Sequence, residues 1–146
     1  MPGPGRPTPK YLAMLLCDYV IRDGETNNKS LIGIFNRIVA PRYPVRHDRL
    51  HAFVALTDGR GEYAARMQIR GPKGEVIFGS DGKIFLADPL AVAEINFLVR
   101  GLVIPEPGRY VVEFICEGEL LVDRVFDAVV AEGPPPPPPP EGPEEG

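Results

Sequence analysis

The chain has no tryptophan, two histidines, two cysteines and only two serines in its 146 residues, and each scarcity removes a class of chemistry. Ser30 and Ser80 lie outside any nucleophile elbow, so serine hydrolysis has no candidate nucleophile. Cys17 and Cys116 fall inside apolar runs, where a thiol keeps a high pKa and stays inert. Neither has Cys or His neighbours at the short spacing a metal site needs. No apolar run reaches the roughly 18 to 20 residues that span a bilayer. The opening Met1-Pro2-Gly3-Pro4-Gly5-Arg6 has no signal-type apolar stretch, so a cytoplasmic address with two reduced, packed thiols is expected.

What the chain has in quantity is proline and glycine, 18 and 16 residues. Seven consecutive prolines, Pro134 to Pro140, can join neither a helix nor a sheet ladder, because proline fixes φ and lacks an amide proton. Their default is a solvated, extended polyproline run of about 3.1 Å per residue, roughly 22 Å in all. The predicted organisation is a disordered Pro/Gly-rich arm over 1–10, one folded domain over 11–131 and a disordered acidic tail over 132–146.

Net charge is −4, unevenly placed: residues 1–70 carry 11 Lys+Arg against 6 Asp+Glu, and residues 71–146 carry 5 against 14. The last fifteen residues hold four acids and no base, which leaves residues 1–131 balanced. That is no electrostatic footprint for bulk nucleic-acid binding, and nucleic acid and membrane are both excluded as expected partners.

The pattern between the tails is all-β. Apolar runs over Tyr11–Val20, Ser30–Ala40, Leu50–Thr57, Glu62–Arg70, Ala91–Ile104 and Leu120–Val130 are separated by turn-forming clusters. Asp58-Gly59-Arg60-Gly61 reads as a hairpin turn, and Gly71-Pro72-Lys73-Gly74 as another. Tyr63, Ala65, Met67 and Ile69 alternate with Ala64, Arg66, Gln68 and Arg70, the period of a sheet with one dry and one wet face. Ser80-Asp81-Gly82 is expected to interrupt a strand between Glu75–Phe78 and Lys83–Ala87. Residues 90–95 carry a competing helical-turn pattern. Tyr110, Val112, Phe114 and Cys116 point inward in the clearest unit, a hairpin reversed at Glu117-Gly118-Glu119. The polar pair Asp123-Arg124 in its second strand predicts a bulge there. About eight such strands predict a single antiparallel β-sandwich of Greek-key type.

The succession Lys29-Ser30-Leu31-Ile32-Gly33-Ile34-Phe35-Asn36, followed by Pro107-Gly108-Arg109-Tyr110-Val111-Val112-Glu113-Phe114, resembles an uncharacterised family of small bacterial β-sandwich proteins. The resemblance covers roughly residues 11–130. It implies the fold and brings no activity, cofactor or site with it.

Among candidate sites, His47-Asp48-Arg49-Leu50-His51 looks like a zinc metallopeptidase box with Asp for Glu. That chemistry needs both imidazoles one helical turn apart and a third ligand. Pro41 and Pro44 precede the string and a strand follows it, so the helix is refused. In one extended strand the two rings would share a face about 13 Å apart, too far for one ion. Metal is not expected here. The turn aspartates Asp23, Asp58, Asp81 and Asp88 stack no oxygen cage for calcium and read as turn initiators.

Arg42, Tyr43, Arg46, His47, Arg49 and His51 gather cationic groups and one ring within ten residues. Guanidinium forks suit carboxylate and phosphate, which makes this stretch the candidate surface for an anionic group or acidic segment of another protein. The expected function is that of a non-enzymatic binding or adaptor module without cofactor. The alternative is a structural subunit that self-assembles through oppositely charged surfaces or strand edges.

Overall fold

The computed structural model describes residues 7–132 and Pro138. The polyproline run, apart from Pro138, and the acidic residues after it lie outside the described residues, as do residues 1–6. Within them the chain is all-β, with nine strands: β1 (Lys10–Arg22), β2 (Lys29–Ile34), β3 (Arg37–Ala40), β4 (Val45–Thr57), β5 (Gly61–Arg70), β6 (Val76–Leu86), β7 (Ala93–Ile104), β8 (Gly108–Cys116) and β9 (Glu119–Val130). One sheet runs β2-β1-β4-β7 and the other β3-β9-β8-β5-β6.

The period of two does what it predicts on β5 and β8. Tyr63, Ala65, Met67 and Ile69, with Tyr110, Val112, Phe114 and Cys116, enter one buried cluster that also takes Met14, Leu16, Leu50, Val54, Leu56 and Val99 from the four-stranded sheet. Fully burying side chains of this size stabilises the fold by about 1.5–3 kcal/mol each. Tyr110 stacks on Phe126 at 5.2 Å, and its hydroxyl donates to the Glu106 carbonyl at 2.7 Å. The other buried tyrosine, Tyr63, donates to the Pro7 carbonyl at 2.7 Å, so the ordered chain is tied down before β1 begins.

Several expectations change. Not every pair is antiparallel, because β3 runs parallel to β9. The run 30–40 is two strands in different sheets: Phe35 and Asn36 carry the chain across, their backbones bonded to Leu16 and Asp127 respectively. Asp58-Gly59 is no hairpin but a crossing between sheets, with Asp58 at φ 64°. Ser80-Asp81-Gly82 does not interrupt β6, because Arg66 on β5 holds Asp81 across the ladder at 2.8 Å. Residues 88–91 form a turn closed by Ala91 N–H donating to Asp88, and no helix follows. The irregularity in β9 is not at Asp123-Arg124, which pair in register with Glu113 and Val112. It falls where Phe114 opposes Val122 and Ile115 opposes Leu120, leaving Leu121 as the extra residue. Arg124 instead reaches across to the other sheet, its Nε donating to the Met14 carbonyl at 2.7 Å.

Two features shape the outer face of the four-stranded sheet. β1 pairs with β4 only as far as Cys17, and beyond that with β2 alone. If the β1–β2 hairpin ran straight on, Lys29 would end about 30 Å along the strand from the level of Glu94. Yet Lys29 Nζ lies 2.9 Å from Glu94 Oε1 on β7. The hairpin therefore folds back over the sheet. That explains why Cys17, His51, Phe53 and Ala55 are buried although they point away from the core cluster.

The second feature is a shared step. On β4 the inward set is Val45, then Leu50, Ala52, Val54 and Leu56; on β7 it is Ala93, Ile95, Phe97 and Val99, then Leu102 and Ile104. Both strands lose one beat of the alternation at the same level, around Asp48 and Gly101, while the cross-strand register stays constant. Gly101 has φ 65°, a conformation that glycine adopts without Cβ strain.

Candidate anion-binding site

The shared step sorts the residues of the 42–51 stretch to different places. Tyr43 fixes structure: it follows the crossing from β3, and its hydroxyl donates to the Val129 carbonyl at 2.7 Å and lies 3.3 Å from the Ile38 carbonyl. Its partial burial raises the phenol pKa. Arg42 is exposed beside it, in the crossing loop. His47 turns inward, its ring 5.9 Å from that of Phe35, and its Nε2 is buried with no hydrogen-bond partner. His51 turns the other way, under the folded-back hairpin, where Nδ1 lies 2.9 Å from Asn96 Oδ1.

The two histidines thus sit on opposite faces, where an unbroken strand would put them on one. The step between them is the reason. Among the described residues no group of His, Cys, Asp and Glu is arranged to hold a metal ion.

Arg46 and Arg49 stay together on the outer face and gain a third member. Arg49 stands directly opposite Arg100 in the β4–β7 ladder. Arg46 lies over Gly101: a Cβ built there would meet its Nη2 at 2.5 Å and its Cζ at 2.8 Å. The missing side chain at 101 therefore lets Arg46 lie flat next to Arg100. On the far side, the Arg49 guanidinium sits 4.8 Å above the centre of the Tyr19 ring, a cation–π contact supplied by β1.

Among the described residues, no carboxylate lies within 4.0 Å of Arg46, Arg49 or Arg100. Three other arginines of the sheets are matched by carboxylates, Arg66 with Asp81, Arg70 with Glu113 and Arg109 with Asp127, while Arg22 donates to Asn27 and Arg124 to the Met14 carbonyl. Like charges directly opposite in a ladder repel, by up to about 1 kcal/mol. Three unmatched guanidiniums on a flat, half-covered face offer donor forks to a carboxylate or phosphate from outside. Arg100 had a signal in the sequence. The Arg100-Gly101 doublet inside an apolar run marks a break in strand alternation beside a charge that points outward.

Both cysteines are buried thiols. Burial, then the neighbouring Asp18 charge, push the Cys17 thiol up, away from the reactive thiolate. Two grooves of about 260 and 270 Å³ flank Arg124 along the β1–β9 edge, but Met14 already takes its Nε. No helix among the described residues is long and apolar enough to cross a membrane.

A family model described as "Family of unknown function (DUF6941)" matches residues 12–128. The chain belongs to this family. The DUF6941 match runs from β1 into β9 and so encloses Tyr19, Arg46, Arg49, Arg100 and Gly101. No curated protein matches the chain. Among solved structures, it is similar to the Pseudomonas fluorescens alkylpurine DNA glycosylase AlkC bound to DNA containing an abasic site analog. Identity there is 14%, the TM-score is 0.51, and the likeness covers 83% of this chain and 30% of that one. At that identity it concerns the fold alone, and this chain spans less than a third of the glycosylase's length.

Proposed function

We propose that this DUF6941 chain is a non-enzymatic, cytoplasmic binding module. In this reading its two sheets form a β-sandwich of Greek-key type, and its outer face at Arg46, Arg49 and Arg100 receives an acidic segment of another protein. One observation carries the reading: Arg49 and Arg100 oppose each other with no carboxylate between them. Like charges directly opposite in a ladder cost stability, and a ligand carboxylate would relieve that repulsion. The flat face suits an extended peptide better than a small substrate, since it encloses nothing.

The test is titration of a fluorescent oligoglutamate peptide into the wild type and into Arg46→Ala/Arg49→Ala/Arg100→Ala. Each exposed ion pair contributes up to about 1 kcal/mol, so the triple variant should bind about tenfold more weakly or worse. Arg109→Ala, whose guanidinium is already matched by Asp127, should bind like the wild type. Equal binding by the wild type and the triple variant refutes the reading.

A self-assembling subunit is the second reading, favoured by β2. This edge strand has a neighbour on one side only, and Ile32 and Ile34 are about half exposed in a run free of charge from Ser30 to Asn36. A mass above that of the monomer in light scattering, reduced to it by Ile32→Lys, would favour this reading.

A further inference from the structure

We infer that the arginine face is also the docking site of this chain's own acidic C-terminal segment, which occupies it in cis and competes with outside ligands. The inference rests on the binding role proposed above and names a second occupant for the same face. Three observations support it.

The first is where the chain leaves the fold. Ala131 N–H donates to the Ala40 carbonyl at 2.9 Å, and the Tyr43 hydroxyl holds the Val129 carbonyl. The exit is thereby fixed beside the crossing loop that leads within a few residues to Val45 and Arg46. The second is span. Packed sheets lie about 10 Å apart, and Arg46 to Arg49 covers about another 10 Å, so the centre of the cluster is roughly 15–20 Å from the exit.

Seven prolines follow Glu132 and Gly133, and an extended polyproline run of that length would span about 22 Å. A linker gives the highest effective concentration when its length matches the span it must cross, and here the two agree. The third is charge. Beyond the prolines come Glu141, Glu144 and Glu145 with no basic residue among them, three carboxylates for three unmatched guanidiniums.

The experiment uses the full chain and the full chain carrying Glu141→Gln, Glu144→Gln and Glu145→Gln, which leave the folded domain untouched. The probe is a synthetic nonapeptide of residues 138–146, titrated into each protein and followed by the Nε–Hε resonances of Arg46, Arg49 and Arg100. A tethered competitor weakens an outside ligand by one plus the ratio of its effective concentration to its dissociation constant. With a millimolar effective concentration and a dissociation constant of a few tenths millimolar, the neutral-tail protein should bind the peptide about fivefold more tightly than the wild type.

The gap should close in about 0.5 M salt, where exposed charges are screened beyond a few ångströms. Equal affinities at low salt would overturn the tail's role while leaving the arginine face a binding site. A gap that grows with protein concentration would overturn docking in cis. Absence of binding to either protein would overturn both the tail contact and the acidic-segment reading beneath it.

Discussion

Reversing one charge at the β4–β7 ladder should make the protein more stable and less able to bind. Arg100→Glu replaces a repulsion with Arg49 by an attraction at the same separation. With the two charged ends roughly 7 Å apart and largely in water, the unscreened interaction is about 0.6 kcal/mol. Reversal swings it by about twice that, and Arg46, lying over Gly101, adds a second contribution of the same sign. The expected gain is about 1–2 kcal/mol at low ionic strength, falling by roughly half at 0.15 M, where the Debye length is about 8 Å.

Urea unfolding at both ionic strengths measures it, with Arg100→Gln as the companion variant. Gln and Glu have nearly the same shape, so the difference between them isolates the charge. The same Arg100→Glu protein should lose oligoglutamate binding. If it were less stable than the wild type at low salt, or indistinguishable from Arg100→Gln, the three guanidiniums would not be a repelling set and the argument for the site would fail.

His47→Phe should stabilise the fold by about 1 kcal/mol, because it replaces a buried, unpartnered Nε2 beside Phe35 by a ring of similar size; a lowered melting temperature would refute this. Tyr43→Phe leaves the Val129 carbonyl without its donor and should cost about 1 kcal/mol in denaturant unfolding; no loss would deny Tyr43 the role of fixing the exit.

Acid should weaken the fold through Asp127 and Asp23. The hydrogen bond from Arg109 lowers the first, and backbone N–H groups of Thr26 and Glu25 lower the second. A carboxyl whose folded pKa is depressed contributes fully above the ordinary aspartate value, about 4, and its contribution is lost as pH falls through the lower folded value. Asp127→Asn should therefore lower stability near neutrality, converge with the wild type at low pH, and so flatten the acid limb of a stability–pH curve. An unchanged acid limb would remove the Arg109–Asp127 pair as a contributor.

Much of the fold was legible because its strongest signal is local. A two-residue rhythm on β5 and a reversal at Glu117-Gly118-Glu119 need only neighbours in sequence; both are present, the turn itself being Glu117-Gly118 with Glu119 already in β9. Which sheet a strand joins is not local. Asp58-Gly59 has the chemistry of a hairpin turn, yet it carries the chain between layers because Leu50, Val54 and Leu56 need one face while Tyr63 and Met67 need the opposing one.

The same limit hid the β1–β2 fold-back, which depends on Lys29 meeting Glu94 from 65 residues away. Of the six residues singled out, two remain in the site. Arg42 to His51 are contiguous in sequence, but the step in β4 divides them, giving Tyr43 and His47 to packing and Arg46 and Arg49 to the surface. Arg100 and Tyr19 complete that surface from strands whose pairing no single stretch reveals.

The coincident irregularity in β4 and β7 ties the evolutionary fates of two distant segments. Excising Gly101 alone would straighten β7 but leave its partner's offset uncompensated, so that Leu102 and Ile104 would no longer stand opposite His47 and Val45. Excising Asp48 as well would restore a regular ladder with every apolar side chain still inside. Shortening in this lineage should therefore arrive in matched pairs across the two strands, and a chain that had lost both residues would keep its interior while giving up the flat perch on which Arg46 rests.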